Sequence, residues 1–342
     1  VVDLSRAITV DDEETMWIGT SGKGLTAVNL AQQRYITYTE ENSKLKCDRI
    51  MSLLYHEGEV WIGHQGEGLQ VMDADGAIES FPETSEMTIW KIYMDSKSQI
   101  WLCTRDNGLV LFDRNRGIIK EFTTVNSGLT SNNVRIIEEG SGNDIWIGSE
   151  DHGLFSLNVP TQTIKKVNEI TEKIKSLYFE EQTLWVGTNG SGLKKFDILD
   201  ANVTTYTIAD GLSNNVIYGI LPDSQGNLWL SSNRGIMRFN SDGTNKRNID
   251  IYSSNTGLQA SEFNTGAYFK GENDQLYFGG LEGINWFIPS QITLNTAKPK
   301  TIISKFEIFG EEQTMTQNAA FRHNQNTVTF TFAALHFSQP EL

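Results

Sequence analysis

Three observations predict an all-β chain. One nonapeptide returns seven times, four strand-like segments lie within each interval, and no amphipathic helical pattern appears before residue 290. Together they predict a seven-bladed β-propeller followed by a truncated, immunoglobulin-like β-sandwich. The nonapeptide opens at Trp17 as WIGTSGKGL. It recurs as WIGHQGEGL from Trp61, WLCTRDNGL from Trp101, WIGSEDHGL from Trp146 and WVGTNGSGL from Trp185, with shorter copies from Trp229 (WLSSNRGI) and Tyr277 (YFGGLEGI). Successive aromatics lie 39–48 residues apart, a period that marks a repeat architecture. Four-stranded units of this length suit radial repetition, which leaves only short, protected edges. An open solenoid fits less well, because solenoids carry distinct polar capping units at their ends.

Each position of the unit has a physical role. The aromatic starts a strand and supplies a large apolar surface. Two residues later the side chain is always small: Gly19, Gly63, Cys103, Gly148, Gly187, Ser231 and Gly279. Residues two apart on a strand share a face, so the small residue lets an adjoining sheet come close beside the ring. A polar loop follows and ends in a glycine, as at Gly24 and Gly192, where a backbone conformation closed to other residues is expected.

The four strands per unit are readable in order. In the third repeat they span 89–94, 99–104, 109–113 and 118–122. In the fifth they span 174–179, 183–188, 193–197 and 203–207, and in the sixth 216–221, 227–232, 236–240 and 249–253, separated by turn residues. Counted outward from the axis, the recurring aromatic heads the second strand and the nonapeptide loop joins the second strand to the third. The seventh repeat has no clear outermost strand. Either it lacks one, or it borrows residues 1–3.

The propeller is read as residues 1–290 and a linker as 291–298. Residues 299–342 then form the first strands of an incomplete sandwich, because so short a segment buries little core alone. There the segment 301–309 reads TIISKFEIF, and 326–333 reads NTVTFTFA with the alternation of a half-buried strand. The chain begins at Val1 and is read as a piece of a longer protein. No apolar run reaches the roughly 18 residues of a membrane span.

The formal net charge is −15 and the pI about 4.8. That balance disfavours nonspecific nucleic-acid binding and docking on an anionic membrane. Cys103 fills a small-residue slot and reads as a buried packing residue, and Cys47 precedes the second repeat. A disulfide between them stays open, and two thiols do not fix a redox compartment.

No nucleophile elbow, His-Glu-x-x-His, Cys-x-x-Cys or phosphate loop is present. The glycine-rich loops lead into strands, so no helix N-terminus is there to hold phosphate. Catalytic residues, metal ligands and cofactors are therefore not expected. The run Asp11-Asp12-Glu13-Glu14 reads as a solvated turn, since it lacks the alternating ligands of a calcium loop. His64 and His152 fall in second-to-third-strand loops of non-adjacent repeats and read as solvated. Those loops enter or leave the same end of the ring as the connections between blades, so all seven are expected around one channel mouth. Rigid frames displaying variable polar groups commonly form sites. The ligand-contact candidates at that mouth are Trp90, Arg105, Asp106, Asn107, His64, His152, Arg234 and Asn189. Arg105 and Arg234 suit a carboxylate or sulfate. Trp90 suits an apolar sugar platform, with an inter-blade core position as the competing reading.

The residues 223–229 (DSQGNLW), the stretch Leu184 to Leu193 (LWVGTNGSGL) and the lead-in 210–216 (DGLSNNV) resemble the two-component regulator propeller repeat. The lead-in is echoed at 127–134, SGLTSNNV. The tail 326–340, NTVTFTFAALHFSQP, is similar to the opening of the triple-tyrosine domain that follows such propellers; its tyrosine-bearing strands would lie beyond Leu342. The resemblance implies a sensor: the periplasmic part of an inner-membrane hybrid histidine kinase that controls polysaccharide use. It further implies an oligosaccharide or polysaccharide breakdown product as ligand, relay through the C-terminal β domain, kinase activity elsewhere in the protein, and membrane attachment through other segments. A homodimer through the C-terminal domain is expected, and nucleic acid is not. A propeller enzyme (a lyase or glycan hydrolase) and a protein-interaction scaffold are the alternatives, because the fold alone does not decide function.

Overall fold

The computed structural model describes residues 4–142, 144–240, 249–292, 300–314 and 320–335. Two compact units divide at Gln291/Ile292. The first holds seven antiparallel sheets. Blade one is β1 (Ser5–Val10), β2 (Met16–Thr20), β3 (Leu25–Asn29) and β4 (Arg34–Tyr38). Blade two is β5 (Ile50–His56), β6 (Glu59–His64), β7 (Leu69–Met72) and β8 (Ile78–Ser80). Blade three is β9 (Ile89–Met94), β10 (Ile100–Thr104), β11 (Leu109–Asp113) and β12 (Gly117–Phe122). Blade four is β13 (Val134–Glu139), β14 (Asp144–Ser149), β15 (Leu154–Asn158) and β16 (Thr163–Val167). Blade five is β17 (Ile174–Glu180), β18 (Thr183–Thr188), β19 (Leu193–Asp197) and β20 (Asn202–Tyr206). Blade six is β21 (Gly219–Pro222), β22 (Asn227–Ser232), β23 (Gly235–Asn240) and β24 (Ile249–Tyr252). Blade seven has β25 (Phe263–Lys270), β26 (Leu276–Gly280) and β27 (Gly283–Phe287).

The first strand of each blade is innermost, and these strands contact one another in sequence around the ring, β25 returning to β1. The seam between blades seven and one carries a backbone bond from the Leu4 N–H to the Leu281 carbonyl, 2.9 Å, and one from Asn264 Nδ2 to the Ser5 carbonyl, 3.0 Å. Among the described residues blade seven has three strands; the reading that residues 1–3 complete it lies outside them.

Blade-to-blade packing explains the repeated aromatic and its small neighbour. Trp61 packs edge-on against Phe112 of blade three, Trp146 against Phe196 and Trp185 against Phe239, and Trp229 meets Phe287 at a tilt, with centroid separations of 6.2, 6.0, 5.6 and 4.8 Å. A Cβ on Gly19 would stand 2.5 Å from Ile50 Cγ2, and one on Gly148 2.6 Å from Ile174 Cγ2. The small slot is therefore where the next blade's inner strand lies down. Cys103 occupies it as a fully buried thiol that burial pushes up to about 12, and both cysteines are free.

An aspartate six residues before the aromatic holds three of the rings. Asp11, Asp95 and Asp223 each accept the indole N–H of Trp17, Trp101 and Trp229 on Oδ2, at 2.8, 2.9 and 2.9 Å. Their Oδ1 atoms accept turn amides, as from Gln225 and Asn227 at 2.9 and 2.8 Å. Tyr55 and Gly140 stand at that position in blades two and four, and there Trp61 and Trp146 leave the buried indole N–H without a partner.

The second unit has a three-stranded antiparallel sheet of β28 (Lys300–Ile308), β29 (Glu311–Glu312) and β30 (Val328–Leu335), in the order β29-β28-β30. Phe306 is buried against Phe321 and Phe330, while Ile302, Ile303 and Phe332 are exposed. A second sheet of a sandwich is not found among the described residues, and nearly all of the expected linker lies outside them.

Candidate functional site

Each loop between second and third strands is a closed unit. In blade one the Thr20 hydroxyl donates to the Gly24 carbonyl at 2.9 Å and accepts the Lys23 amide at 2.8 Å; Thr104 and Thr188 repeat this with Gly108 and Gly192. The loop glycine has φ of +73° at Gly24 and +81° at Gly192, and a Cβ there would meet the Tyr38 or Tyr206 carbonyl oxygen at 2.0 Å. Both conformation and space exclude a side chain.

These loops are clamped between blades. Gly24 N–H donates to the Asp48 carbonyl at the entry to blade two, Gly68 to Met87 at the entry to blade three, Gly108 to Asn132, Gly192 to Asn215 and Gly235 to Ser261. On the other side Gln65 N–H donates to Arg49, Arg105 to Thr88, Glu150 to Asn133 and Asn189 to Lys173, each in the entry to its own blade. The loops and the blade entries therefore share one face of the ring, as the strand order requires.

Of the sequence candidates, Arg105, Asp106, His152, Asn189 and Arg234 are exposed on this face and Asn107 is half-buried. Arg105 Nε lies 3.8 Å from Asp106 Oδ2, and His152 Nδ1 is hydrogen-bonded to Thr130 Oγ1 at 2.9 Å. Arg105 and Arg234 stand three blades apart, on blades three and six, and no hydrogen bond or ion pair joins them among the described residues.

One expectation needs correction. His64 is not a solvated loop residue. It ends β6, is fully buried, and donates from Nδ1 to the Cys47 carbonyl at 3.0 Å, while burial holds its imidazole down at about 4. Trp90 is half-buried and meets Asn133 and Arg135 of blade four. It is the extra residue of a β-bulge, since Ile89 pairs with Thr104 and Lys91 with Cys103.

That bulge recurs, and sequence reasoning missed it. Arg6, Met51, Arg135 and Lys175 are the extra residues of the inner strands β1, β5, β13 and β17, and Tyr218 stands at the same point before β21. A bulge re-aims one side chain, and here it turns these groups toward the axis. The Arg135 guanidinium stacks over the Trp90 ring at 4.4 Å. Its Nη2 lies 3.8 Å from where a Cβ on Gly266 of blade seven would stand. Arg6 of blade one interacts electrostatically with Arg135, Lys175 and Tyr218 of blades four, five and six. Residues from such distant blades meet only at the centre. A signal for them exists in the sequence: each follows the first inner-strand residue at Ser5, Ile50, Ile89, Val134, Ile174 and Ile217.

Further along the channel Lys91 Nζ lies over the Tyr268 ring at 5.9 Å, and burial pushes Glu138 up to about 7. A separate cleft of about 400 Å³ opens between blades one and two, lined by Asp11, Trp17, Tyr38, Tyr55 and Asp73 among others. Asp11 and Asp12 are engaged by Trp17 Nε1 and the Tyr55 hydroxyl, at 2.8 and 2.9 Å. Among the described residues no group of three His, Cys, Asp or Glu is placed to hold a metal, and no helix is long and apolar enough to cross a membrane.

Comparison with known proteins supports the repeat and the ring. Residues 211–234, the entry and first two strands of blade six, match the family model described as two component regulator propeller. The chain is 26% identical over 355 residues to histidine kinase P4 of Formosa agariphila, covering 92% of this chain and 25% of that protein. Its fold is similar to the extracellular domain of the hybrid two component system BT3049 of B. thetaiotaomicron, at a TM-score of 0.82 and 24% identity, covering 99% of this chain and 47% of that one. Virginiamycin B lyase from Staphylococcus aureus is a more distant likeness, at a TM-score of 0.65 and 16% identity over 83% of this chain and 94% of that one. The chain thus spans a quarter of the curated relative and about half of the sensor ectodomain. It is an all-β propeller of seven blades that carries the two component regulator propeller repeat.

Proposed function

We propose that this chain is a ligand-sensing, extracytoplasmic part of a membrane histidine kinase, periplasmic in location, and that it recognises an oligosaccharide or polysaccharide breakdown product. The similarity to histidine kinase P4 and to the BT3049 extracellular domain supports the sensor reading. The observation that carries the ligand reading is the ring of clamped loops, which holds Arg105, Asp106, Asn107, His152, Asn189 and Arg234 on one face of a rigid frame. In this reading the signal passes to the C-terminal sheet, the start of a triple-tyrosine domain through which two copies pair. The chain itself is a binding module and not an enzyme. The lyase likeness favours the enzyme alternative only at the level of fold.

A calorimetric screen of an oligosaccharide panel tests the proposal, on this chain and on the complete ectodomain, with product analysis in parallel. Binding without turnover is expected, weakened by Arg105→Ala and Arg234→Ala at unchanged melting temperature. Turnover of any member, or unchanged affinity in both variants, overturns it.

A further inference from the structure

The bulge collar carries more charge than it neutralises. Arg6, Arg135 and Lys175 converge on it, and the carboxylate set among them is Glu150, from the blade-four loop at the same face. Lys175 Nζ binds Glu150 Oε1 directly. Arg135 does not: its Nε stands 3.9 Å from Glu150 Oε2, and that oxygen is buried without a hydrogen bond. The Arg135 side chain is 7% exposed, and the buried Nε of Arg6 also has no partner. A guanidinium presents five donors in a fixed fork. Burying such donors without acceptors costs free energy, and burying an under-paired cation costs more. A protein of net charge −15 therefore concentrates three cations at one point on its axis; Lys175 is paired with Glu150, while Arg135 and Arg6 keep donors open. Trp90 covers one side of Arg135 at 4.4 Å and turns its own Nε1–H to Asn133 Oδ1 at 3.2 Å. This gives the collar an apolar wall beside its donors.

The geometry points to an oxyanion site in this collar: a carboxylate or sulfate group enters from the loop face and binds in the fork of Arg135 with Arg6 and Lys175, displacing Glu150, while Trp90 packs against the rest of the ligand. Carboxylate and sulfate both match a guanidinium fork in two-point geometry. As a ligand class this means an acidic saccharide, a uronic acid or a sulfated sugar. That last step rests on the saccharide reading above; the oxyanion site does not.

The test is a thermal-shift and calorimetric titration of the whole chain with sodium glucuronate, sodium sulfate, glucose and sodium chloride at matched ionic strength. Glucuronate or sulfate is expected to bind and raise the melting temperature beyond chloride, and glucose is not. The stronger of the two names the group. Arg135→Gln is expected to weaken that binding at least tenfold. Because it removes an under-paired buried cation, it is also expected to leave the apo protein folded and no less stable. Glu150→Gln, which removes the competing carboxylate, is expected to tighten binding. The inference is overturned if neither anion exceeds chloride, if Arg135→Gln and Arg6→Gln both bind like wild type, or if Glu150→Gln weakens binding. A neutral oligosaccharide that binds while the anions do not would refute the collar and spare the sensor reading. Anion binding with no saccharide binding would do the reverse.

Discussion

Replacing Asp223 by alanine tests the logic of the repeat at one residue. Asp223 is 6% exposed and Trp229 1%. The carboxylate accepts the indole N–H at 2.9 Å, the Asn227 side-chain amide at 2.9 Å, and the backbone amides of Gln225 and Asn227. Hydrogen bonds to a charged acceptor each contribute about 1.5–3 kcal/mol, and an orphaned buried donor costs about 1–3 kcal/mol. The Gln225 amide is near solvent and recovers water; the Trp229 indole and the Asn227 amide do not. The expected loss is therefore about 3–4 kcal/mol, at the upper end for single substitutions. Blades two and four set a bound, because Trp61 and Trp146 already leave the indole N–H unsatisfied in the folded protein. A double-mutant cycle isolates the contact. Asp223→Ala and Trp229→Phe should couple by about 1–2 kcal/mol, whereas Trp61→Phe should lose packing alone. The assay is urea unfolding followed by circular dichroism, with an unchanged slope required before the values are compared. A loss below about 1 kcal/mol for Asp223→Ala, or no coupling to Trp229→Phe, would refute the aspartate's role as the holder of the ring.

Trp185→Ala should cost about 3–5 kcal/mol, because the ring is fully buried between Tyr206 and Phe239; a denaturant titration giving under 1 kcal/mol would contradict its anchoring of blades five and six. Two buried groups should give stability opposite pH slopes. Glu138, raised from 4.5 to about 7, binds its proton more tightly when folded, so its contribution falls as pH rises from about 4.5 to about 7. His64, lowered from 6.5 to about 4, contributes stability that is present above 6.5 and lost as pH falls toward 4. Melting curves from pH 4.5 to 6.5 should therefore steepen upward with pH in Glu138→Gln and turn downward in His64→Gln relative to wild type; equal slopes in all three proteins would contradict both shifts. Deleting residues 299–342 should change oligomeric state or protease sensitivity, since the strands there present open edges and exposed Ile303 and Phe332; identical sedimentation and digestion patterns would count against it.

Much of the ring was legible because each blade repeats one packing problem. Trp185, Gly187 and Gly192 can be read from spacing, since ring, small slot and loop turn depend on neighbours at fixed offsets. The first strand of blade six was harder. It begins at Gly219 and not at 216, because Val216 bridges to Asn189 and the Ile217 amide donates to the Thr188 carbonyl of blade five. Those partners belong to another unit, and local alternation does not register them. The same holds for Trp90, whose ring meets Asn133 and Arg135 of blade four; His64 differs, since β6 extends through it and its partner Cys47 lies in the entry to its own blade. A bulge shifts strand parity by one, so the face read from alternation is wrong beyond it. The collar was the least visible. Arg6, Arg135 and Lys175 are far apart in the chain, and only circular closure brings them together.

The seam between blades seven and one has a further mechanical meaning. Among the described residues no strand is shared across it; Leu4, Ser5, Asn264 and Leu281 hold it by contact. It is in effect an interface between the first and seventh blades of one ring, and its closure is governed by effective concentration. Opening it would turn the ring into an arc and draw Arg6, on the first blade, away from Arg135 and Lys175 on the fourth and fifth. Any group held jointly by these three side chains then acts as a spoke, so that occupancy of the hub and closure of the rim report on each other.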